Sequence, residues 1–137
     1  HFMAITRIPF MAAGWVGDLP LPNYAIMGFI VFIYLVGGCF MDSLAMILLT
    51  VPILYPVVTA LGFDPIWFGV IIVLVTEMGV ITPPVGINVY VVSGIAKDIP
   101  LEVIFKGALP FLLAILATVS LLMLFPQIAL FLPNLMR

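Results

Sequence analysis

The feature that most constrains this chain is a pair of adjacent prolines, Pro83 and Pro84, within apolar sequence long enough to cross a bilayer. Proline has no amide hydrogen and its ring clashes with the preceding turn, so a helix arriving through residues 70–75 has to unwind near the pair. We predict a broken transmembrane helix over residues 62–97, unwound over residues 79–86. Unpaired backbone groups are costly in hydrocarbon, so such a break is typical of a binding site for an ion or a small solute.

Charged side chains are too few to cover a soluble domain of this size. They make up 7% of the 137 residues, whereas 66% of the residues are hydrophobic. Several uncharged runs exceed the ~18 residues that suggest a membrane crossing. These runs are Leu19–Met41, Ser43–Phe63, Met78–Ala96 and Gly107–Met136. We therefore predict an all-α integral membrane protein, and the net charge of -2 gives no reason to expect a nucleic acid partner.

The first part of the chain predicts a helical hairpin. Residues 1–22 are interpreted as a truncated helix end and a loop, and the chain, which starts at His1, as the C-terminal part of a larger protein. Residues 23–61 then form a re-entrant helical hairpin with its tip at residues 37–42, because a helix over residues 24–36 spans only ~20 Å of a ~30 Å hydrocarbon core. One continuous or kinked helix through the glycine pair at the tip is the alternative.

The end of the chain predicts two more helical segments. Residues 98–109 suit an amphipathic helix lying in the interface, and residues 110–137 a terminal transmembrane helix with a tail that Pro126 and Pro133 make irregular. Lys97 and Lys106 place residues 97–109 in the cytoplasm by the positive-inside rule. The loops at the two ends of the hairpin, and the end of the chain, then lie on the outer side.

Two glycine-rich interruptions, residues 37–42 and 79–86, follow each other in neighbouring membrane segments. Together they would offer free helix amides to an anion and free carbonyls to a sodium ion. Thr82 and Asn88 add hard oxygen ligands. A simple proline kink is the alternative for the second interruption. For Asp42 a site role and a helix cap are both open and are compatible with each other. For Glu77 the alternatives are a titrating group, a partner of a residue in the missing half, or a residue beside a water-filled vestibule. An intramembrane enzyme built on these two acids lacks a paired catalytic motif or a set of metal ligands.

Several motifs of this chain together resemble the C-terminal half of the DctM-like large membrane subunit of TRAP transporters, the tripartite ATP-independent periplasmic family. The motifs are Gly38-Cys39-Phe40-Met41-Asp42, Pro52-Ile53-Leu54-Tyr55-Pro56, Gly62-Phe63-Asp64-Pro65-Ile66-Trp67-Phe68-Gly69, Gly79-Val80-Ile81-Thr82-Pro83-Pro84-Val85-Gly86 and Leu109-Pro110-Phe111. The resemblance implies one half of an inverted-repeat, elevator-type transporter and not an enzyme. It implies a multi-pass protein of the bacterial inner membrane that imports organic acids, such as C4-dicarboxylates, sialic acid or sugar acids, with sodium as the coupling ion and no other cofactor.

The resemblance also implies partners and site residues. The partners are a periplasmic solute-binding protein, a small four-helix membrane subunit and the N-terminal half of the same large subunit. The implied sodium-binding residues are Gly38, Asp42, Gly79, Thr82 and Gly86, and the implied substrate-binding residues are Gly37, Cys39, Pro83 and Asn88. The chain departs from the family pattern at Glu77, where a neutral polar residue is expected. A non-transporting membrane anchor, or a related sodium-dependent anion symporter without a binding protein, is the alternative.

Overall fold

The structure is a computed structural model that describes residues 11, 14, 15 and 18–136. Six helices follow one another over residues 23–135, and no β-strand occurs in the described part of the chain. They are α1 (Asn23–Phe40), α2 (Ser43–Ala60), α3 (Pro65–Ile81), α4 (Ile87–Ile95), α5 (Leu101–Leu124) and α6 (Pro126–Leu135). Most of the helix end predicted over residues 1–22 lies outside the described residues, and residues 18–21 form a turn.

Helices α1 and α2 form an antiparallel hairpin. Three pairs of residues contact each other from the open end to the tip: Asn23 Nδ2 donates to the Leu61 carbonyl over 2.9 Å, the Tyr34 and Thr50 hydroxyls share a hydrogen bond, and Gly37 faces the Met46 side chain. One continuous helix over residues 23–61 is therefore wrong, because the chain reverses after Phe40. Re-entry of the hairpin into the bilayer stays a prediction.

The turn of the hairpin is shorter than the predicted tip at residues 37–42. Helix α1 keeps its helical geometry through Gly37 and Gly38, and the Met41 amide donates to the Gly37 carbonyl over 2.9 Å. The backbone becomes extended only at Met41 and Asp42. At 18 residues, α1 is ~27 Å long rather than ~20 Å. The glycines stay helical because the backbone of Gly38 packs directly against α3.

The broken helix runs antiparallel along α5. Near the start of α3, Trp67 Nε1 donates to the Leu122 carbonyl over 2.7 Å, and on α4 the Tyr90 ring packs edge-to-face on Phe105. The break covers residues 82–86, less than the predicted 79–86. The last turn of α3 persists because the amide and the hydroxyl of Thr82 both donate to carbonyls of that turn.

Helix α5 joins the segment predicted for residues 98–109 to the first part of the segment predicted for residues 110–137. It passes through Pro110 without interruption for 24 residues, or ~36 Å. Proline is tolerated within transmembrane helices because neighbouring groups and local adjustments satisfy the freed carbonyl. The tail is helical as well: Pro126 occupies the first turn of α6, where its missing amide would be unpaired in any case.

The core lies where α3 is surrounded by α1, α2, α5 and α6. Its largest fully buried side chains are Trp67, Tyr34, Phe68 and Met27. The outward faces are also apolar, with exposed Phe29, Leu48 and Phe111 among many others. By length and composition, α1, α2 and α5 can each cross a membrane. The chain is thus an all-α membrane protein whose apolar surface faces lipid or other apolar partners.

Candidate functional site

The candidate site is built on a backbone contact between Gly38 of α1 and Gly79 of α3. A Cβ atom placed on Gly79 would lie 2.7 Å from the Gly38 Cα and 2.9 Å from the Leu35 carbonyl oxygen. A Cβ on Gly38 would lie 3.0 Å from the Thr76 carbonyl oxygen. Only glycine permits so close an approach of two backbones. The contact therefore holds the end of α1, and with it the hairpin tip, beside the end of α3.

Helices α1 and α3 are parallel, so their C-terminal ends meet. At their starts, the rings of Tyr24 and Phe63 lie 5.4 Å apart, and at their ends Gly38 contacts Gly79. Each helix end carries about −0.5 elementary charge, and neither helix has a basic residue in its last turn to offset it. The two adjacent ends form a region of negative potential that favours a cation.

The break leaves the Val80 carbonyl without an amide donor from its own helix. For Val80, the residues three and four positions along the chain are Pro83 and Pro84, and neither has an amide hydrogen to donate. The neighbouring Gly79 carbonyl is compensated, since it accepts from the Thr82 amide over 3.0 Å. Val80 is buried, so its carbonyl oxygen is a candidate cation ligand. Val80 is absent from the residues predicted to bind sodium, although it lies three and four positions before the two prolines.

Thr82 presents its hydroxyl at the same helix end. The hydroxyl donates to the Met78 carbonyl over 2.6 Å, which directs the lone pairs of its oxygen away from that carbonyl. Thr82 is half-buried, whereas Pro83 and Pro84 are exposed. The peptide bond between the two prolines is cis. Thr82 therefore remains available as an oxygen ligand.

Two helices begin shortly after these helix ends: α2 follows α1, and α4 follows α3. Asp42 caps α2, because its Oδ2 accepts from the Ala45 amide over 3.1 Å, so the capping role considered for Asp42 is confirmed. Helix α4 starts after Gly86, which has a left-handed conformation with φ of 54° and no side chain to cap the helix. A Cβ on Gly86 would also lie 2.9 Å from the Phe105 ring. The first amides of α4 are thus left without a side-chain acceptor from its cap residue, and a helix N-terminus of this kind favours an anion.

Glu77 lies one turn before the end of α3 and contacts the hairpin. Its Oε1 accepts a hydrogen bond from the Ser43 hydroxyl over 3.2 Å. The Glu77 side chain is otherwise exposed. The contact links the first residue of α2 to α3.

The predicted substrate residues lie in different parts of the structure: two in α1, one in the break and one in α4. Gly37 faces Met46 inside the hairpin, and Cys39 is buried, with its thiol donating to the Leu35 carbonyl over 3.2 Å. By contrast, two of the residues line grooves against α5: Pro83 a groove of about 200 Å³, and Asn88 one of about 360 Å³. Their role in substrate binding stays a prediction.

Side-chain metal ligands do not gather in the described part of the chain, where no three His, Cys, Asp or Glu residues lie together. The oxygen atoms near the break instead come from backbone carbonyls and a hydroxyl. Hard oxygen ligands suit a group-one or group-two cation rather than a transition metal.

A family model described as "Tripartite ATP-independent periplasmic transporter, DctM component" matches residues 1–128. The C4-dicarboxylate TRAP transporter large permease protein DctM of Pseudomonas aeruginosa is 37% identical over 134 residues, which cover 98% of this chain and 31% of the relative. The sialic acid TRAP transporter large permease protein SiaM of Vibrio cholerae is 39% identical over 136 residues, 97% of this chain and 31% of the relative. The ectoine/5-hydroxyectoine large permease UehC of Ruegeria pomeroyi is 33% identical over 133 residues, 97% of this chain and 31% of the relative. The chain thus spans about 31% of the length of these relatives.

Proposed function

The chain belongs to the family of the DctM component of tripartite ATP-independent periplasmic transporters, and we propose that it forms part of a sodium-coupled importer of organic acids. Membership in a family of permeases, rather than of enzymes, removes the intramembrane enzyme from consideration. The observation that carries the proposal is the contact of Gly38 with Gly79, which joins two helix C-termini beside the break.

In this proposal, sodium binds between the end of α1 and the end of α3. Carbonyl oxygens at the two helix ends, including that of Val80, and the Thr82 hydroxyl are its ligands, with Asp42 adding negative charge at the tip. Both helix dipoles favour the ion at this position. Because the tip and the break both contribute, sodium binding fixes the hairpin against the broken helix. The loaded unit then crosses the bilayer in an elevator-type movement.

The substrate in this proposal is a small organic anion bound near the start of α4. The uncapped amides of that helix favour a carboxylate, and sodium a few residues away in the chain stabilises the same negative charge. Coupling then follows from electrostatics, since each bound ion lowers the cost of binding the other. The relatives are named for C4-dicarboxylates, sialic acid and ectoine. We propose a C4-dicarboxylate or a sialic acid or sugar acid as the substrate.

The partners in this proposal are a periplasmic solute-binding protein, a small four-helix membrane subunit and the other half of the large subunit. The protein is placed in the bacterial inner membrane as a multi-pass subunit. The loop that contains Lys97 faces the cytoplasm, and the opposite end of the broken helix, at Asp64, faces the periplasm. The open end of the hairpin then faces the same side as the binding protein.

Uptake into vesicles tests the proposal. Vesicles would contain the full-length large subunit, the small subunit and the cognate binding protein, and would receive radiolabelled C4-dicarboxylate, sialic acid or ectoine. We expect uptake of one organic acid that requires an inward sodium gradient. Uptake at the same rate in potassium-only buffer would contradict sodium coupling.

A further inference from the structure

We infer that Glu77 is a positioning residue that holds the hairpin tip in place by accepting a hydrogen bond from Ser43. The inference rests on the proposed function, because the tip is one side of the proposed sodium site. Glu77 is the carboxylate of α3, and its Oε1 lies 3.2 Å from the Ser43 hydroxyl. Since Ser43 is the first residue of α2, the hydrogen bond joins the returning arm of the hairpin to α3.

The position of Glu77 is unfavourable within its own helix. A negative side chain close to a helix C-terminus is repelled by the dipole of that helix. Its contact with Ser43, however, places the carboxylate at the N-terminus of α2, where the dipole has the opposite sign. The repulsion between the carboxylate and the end of α3 is therefore compensated by its attraction to the start of α2. The Glu77 carboxylate thus stabilises the docked hairpin more than it stabilises α3 alone.

Glu77 completes a two-sided attachment of the tip. On the α1 side, the Gly38 backbone packs against Gly79. On the α2 side, Ser43 is bonded to Glu77, two residues earlier in α3. The extended turn at Met41 and Asp42 lies between these two contacts. Loss of the second contact frees the α2 side of the tip while Asp42 still caps α2.

The consequence for transport is a change in sodium affinity rather than in maximal rate. A tip that is attached on a single side must become ordered when the ion binds, so part of the binding free energy is used to order the tip. We expect Glu77→Ala and Ser43→Ala each to raise the half-saturating sodium concentration about tenfold, as for the loss of one charge-assisted hydrogen bond. The maximal rate at saturating sodium should be unchanged.

Three further variants separate positioning from charge and from general damage. Glu77→Gln keeps an oxygen that accepts from Ser43, so its half-saturating sodium concentration should stay within about threefold of the unmodified protein. The double variant Ser43→Ala/Glu77→Ala should be no worse than either single variant, because both remove the same contact. Ser120→Ala is the matched control, since the Ser120 hydroxyl bonds only to the Leu116 carbonyl of its own helix α5.

Hydrogen exchange in the full-length subunit reports on the same contact without transport. The amides in the first turn of α2, around Leu44 and Ala45, should exchange faster in Glu77→Ala and Ser43→Ala but not in Glu77→Gln or Ser120→Ala. Unchanged exchange and unchanged half-saturating sodium in both alanine variants would overturn the inference. A defect of Glu77→Gln equal to that of Glu77→Ala would also overturn it, in favour of a purely electrostatic role.

The two measurements also separate this inference from the proposed function. If the unmodified transporter takes up its substrate without sodium, the proposed function fails, while the exchange of the α2 amides still decides whether Glu77 positions the tip. If uptake depends on sodium but the exchange pattern is insensitive to Glu77, only the positioning role fails.

Discussion

Gly38 and Gly79 touch through their backbones, so close that a Cβ on Gly79 would lie 2.7 Å from the Gly38 carbonyl carbon. Side chains at this crossing would push α1 away from α3 and would separate the hairpin tip from the break. The packing of two helices without intervening side chains is common in membranes, where small residues permit close backbone approach. Here it also sets the geometry of the candidate cation site, so the structural role and the proposed functional role of the two glycines coincide.

Gly79→Ala should destabilise the protein and weaken sodium binding together. The new methyl group meets backbone atoms, which cannot move aside as the end of a flexible side chain can, and overpacking of this kind costs ~1 to 3 kcal/mol. Thermal unfolding in detergent and sodium-dependent uptake would both be measured. Gly69→Ala is the control in the same helix, because nothing lies within 4 Å of a Cβ there. Equal behaviour of the two variants would contradict the contact.

Gly86→Ala should also destabilise the protein, for two separable reasons. Its φ of 54° costs a residue with a side chain ~1 to 2 kcal/mol, and the added methyl group meets the Phe105 ring at 2.9 Å. A smaller partner in Gly86→Ala/Phe105→Leu should restore only the steric part of the loss in melting temperature. Gly94→Ala, with open space at its Cβ, serves as the control in α4. Full recovery in the double variant would argue against backbone strain.

Thr82→Val tests the hydroxyl as a sodium ligand while keeping the shape of the side chain. Under the proposed function the half-saturating sodium concentration should rise at least tenfold, since an oxygen ligand is replaced by a methyl group. Thr82→Ser should stay close to the unmodified protein. Thr118→Val is the matched control for Thr82→Val, because the Thr118 hydroxyl likewise donates to a carbonyl of its own helix, that of Ala114. A non-transporting anchor would show no effect of any of these changes.

Asp42→Asn distinguishes the helix cap from a sodium site. Asparagine caps helices about as well as aspartate, so the melting temperature should hardly change, whereas Asp42→Ala should cost ~1 kcal/mol. If the Asp42 charge also favours sodium, Asp42→Asn should raise the half-saturating sodium concentration. Asp64→Asn is the matched control at the other end of α3, where Asp64 Oδ1 accepts from the Ile66 amide over 2.8 Å. An unchanged sodium dependence in Asp42→Asn would leave Asp42 as a cap alone.

The break in the helix could be predicted from the sequence because its cause is local. Pro83 and Pro84 remove two amide donors wherever they occur, and Gly86 permits the left-handed conformation that restarts the helix. Its start could not be placed correctly, because Gly79 is helical in the structure. Local preference disfavours glycine within a helix, but packing against α1 outweighs that preference at this position.

The predictions that differ from the structure concern residues whose conformation depends on distant partners. The sequence predicts that Pro110 separates two segments, yet α5 continues through it alongside the broken helix. The sequence also predicts Gly37 and Gly38 in the tip, yet tertiary contact keeps them in α1. The bond from Ser43 to Glu77 joins residues 34 positions apart, which no local pattern reveals.

Helix α5 packs along both parts of the interrupted helix, α3 and α4. Trp67 joins α3 to the C-terminal end of α5, and Tyr90 of α4 packs on Phe105 near the start of α5. The helices on both sides of the break are therefore fixed to one continuous helix. Under the proposed function, residues 82–86 would rearrange around the ion while α5 keeps α3 and α4 at their present separation. The cation site would then adjust through its connecting segment alone, without a change in the packing of either helix.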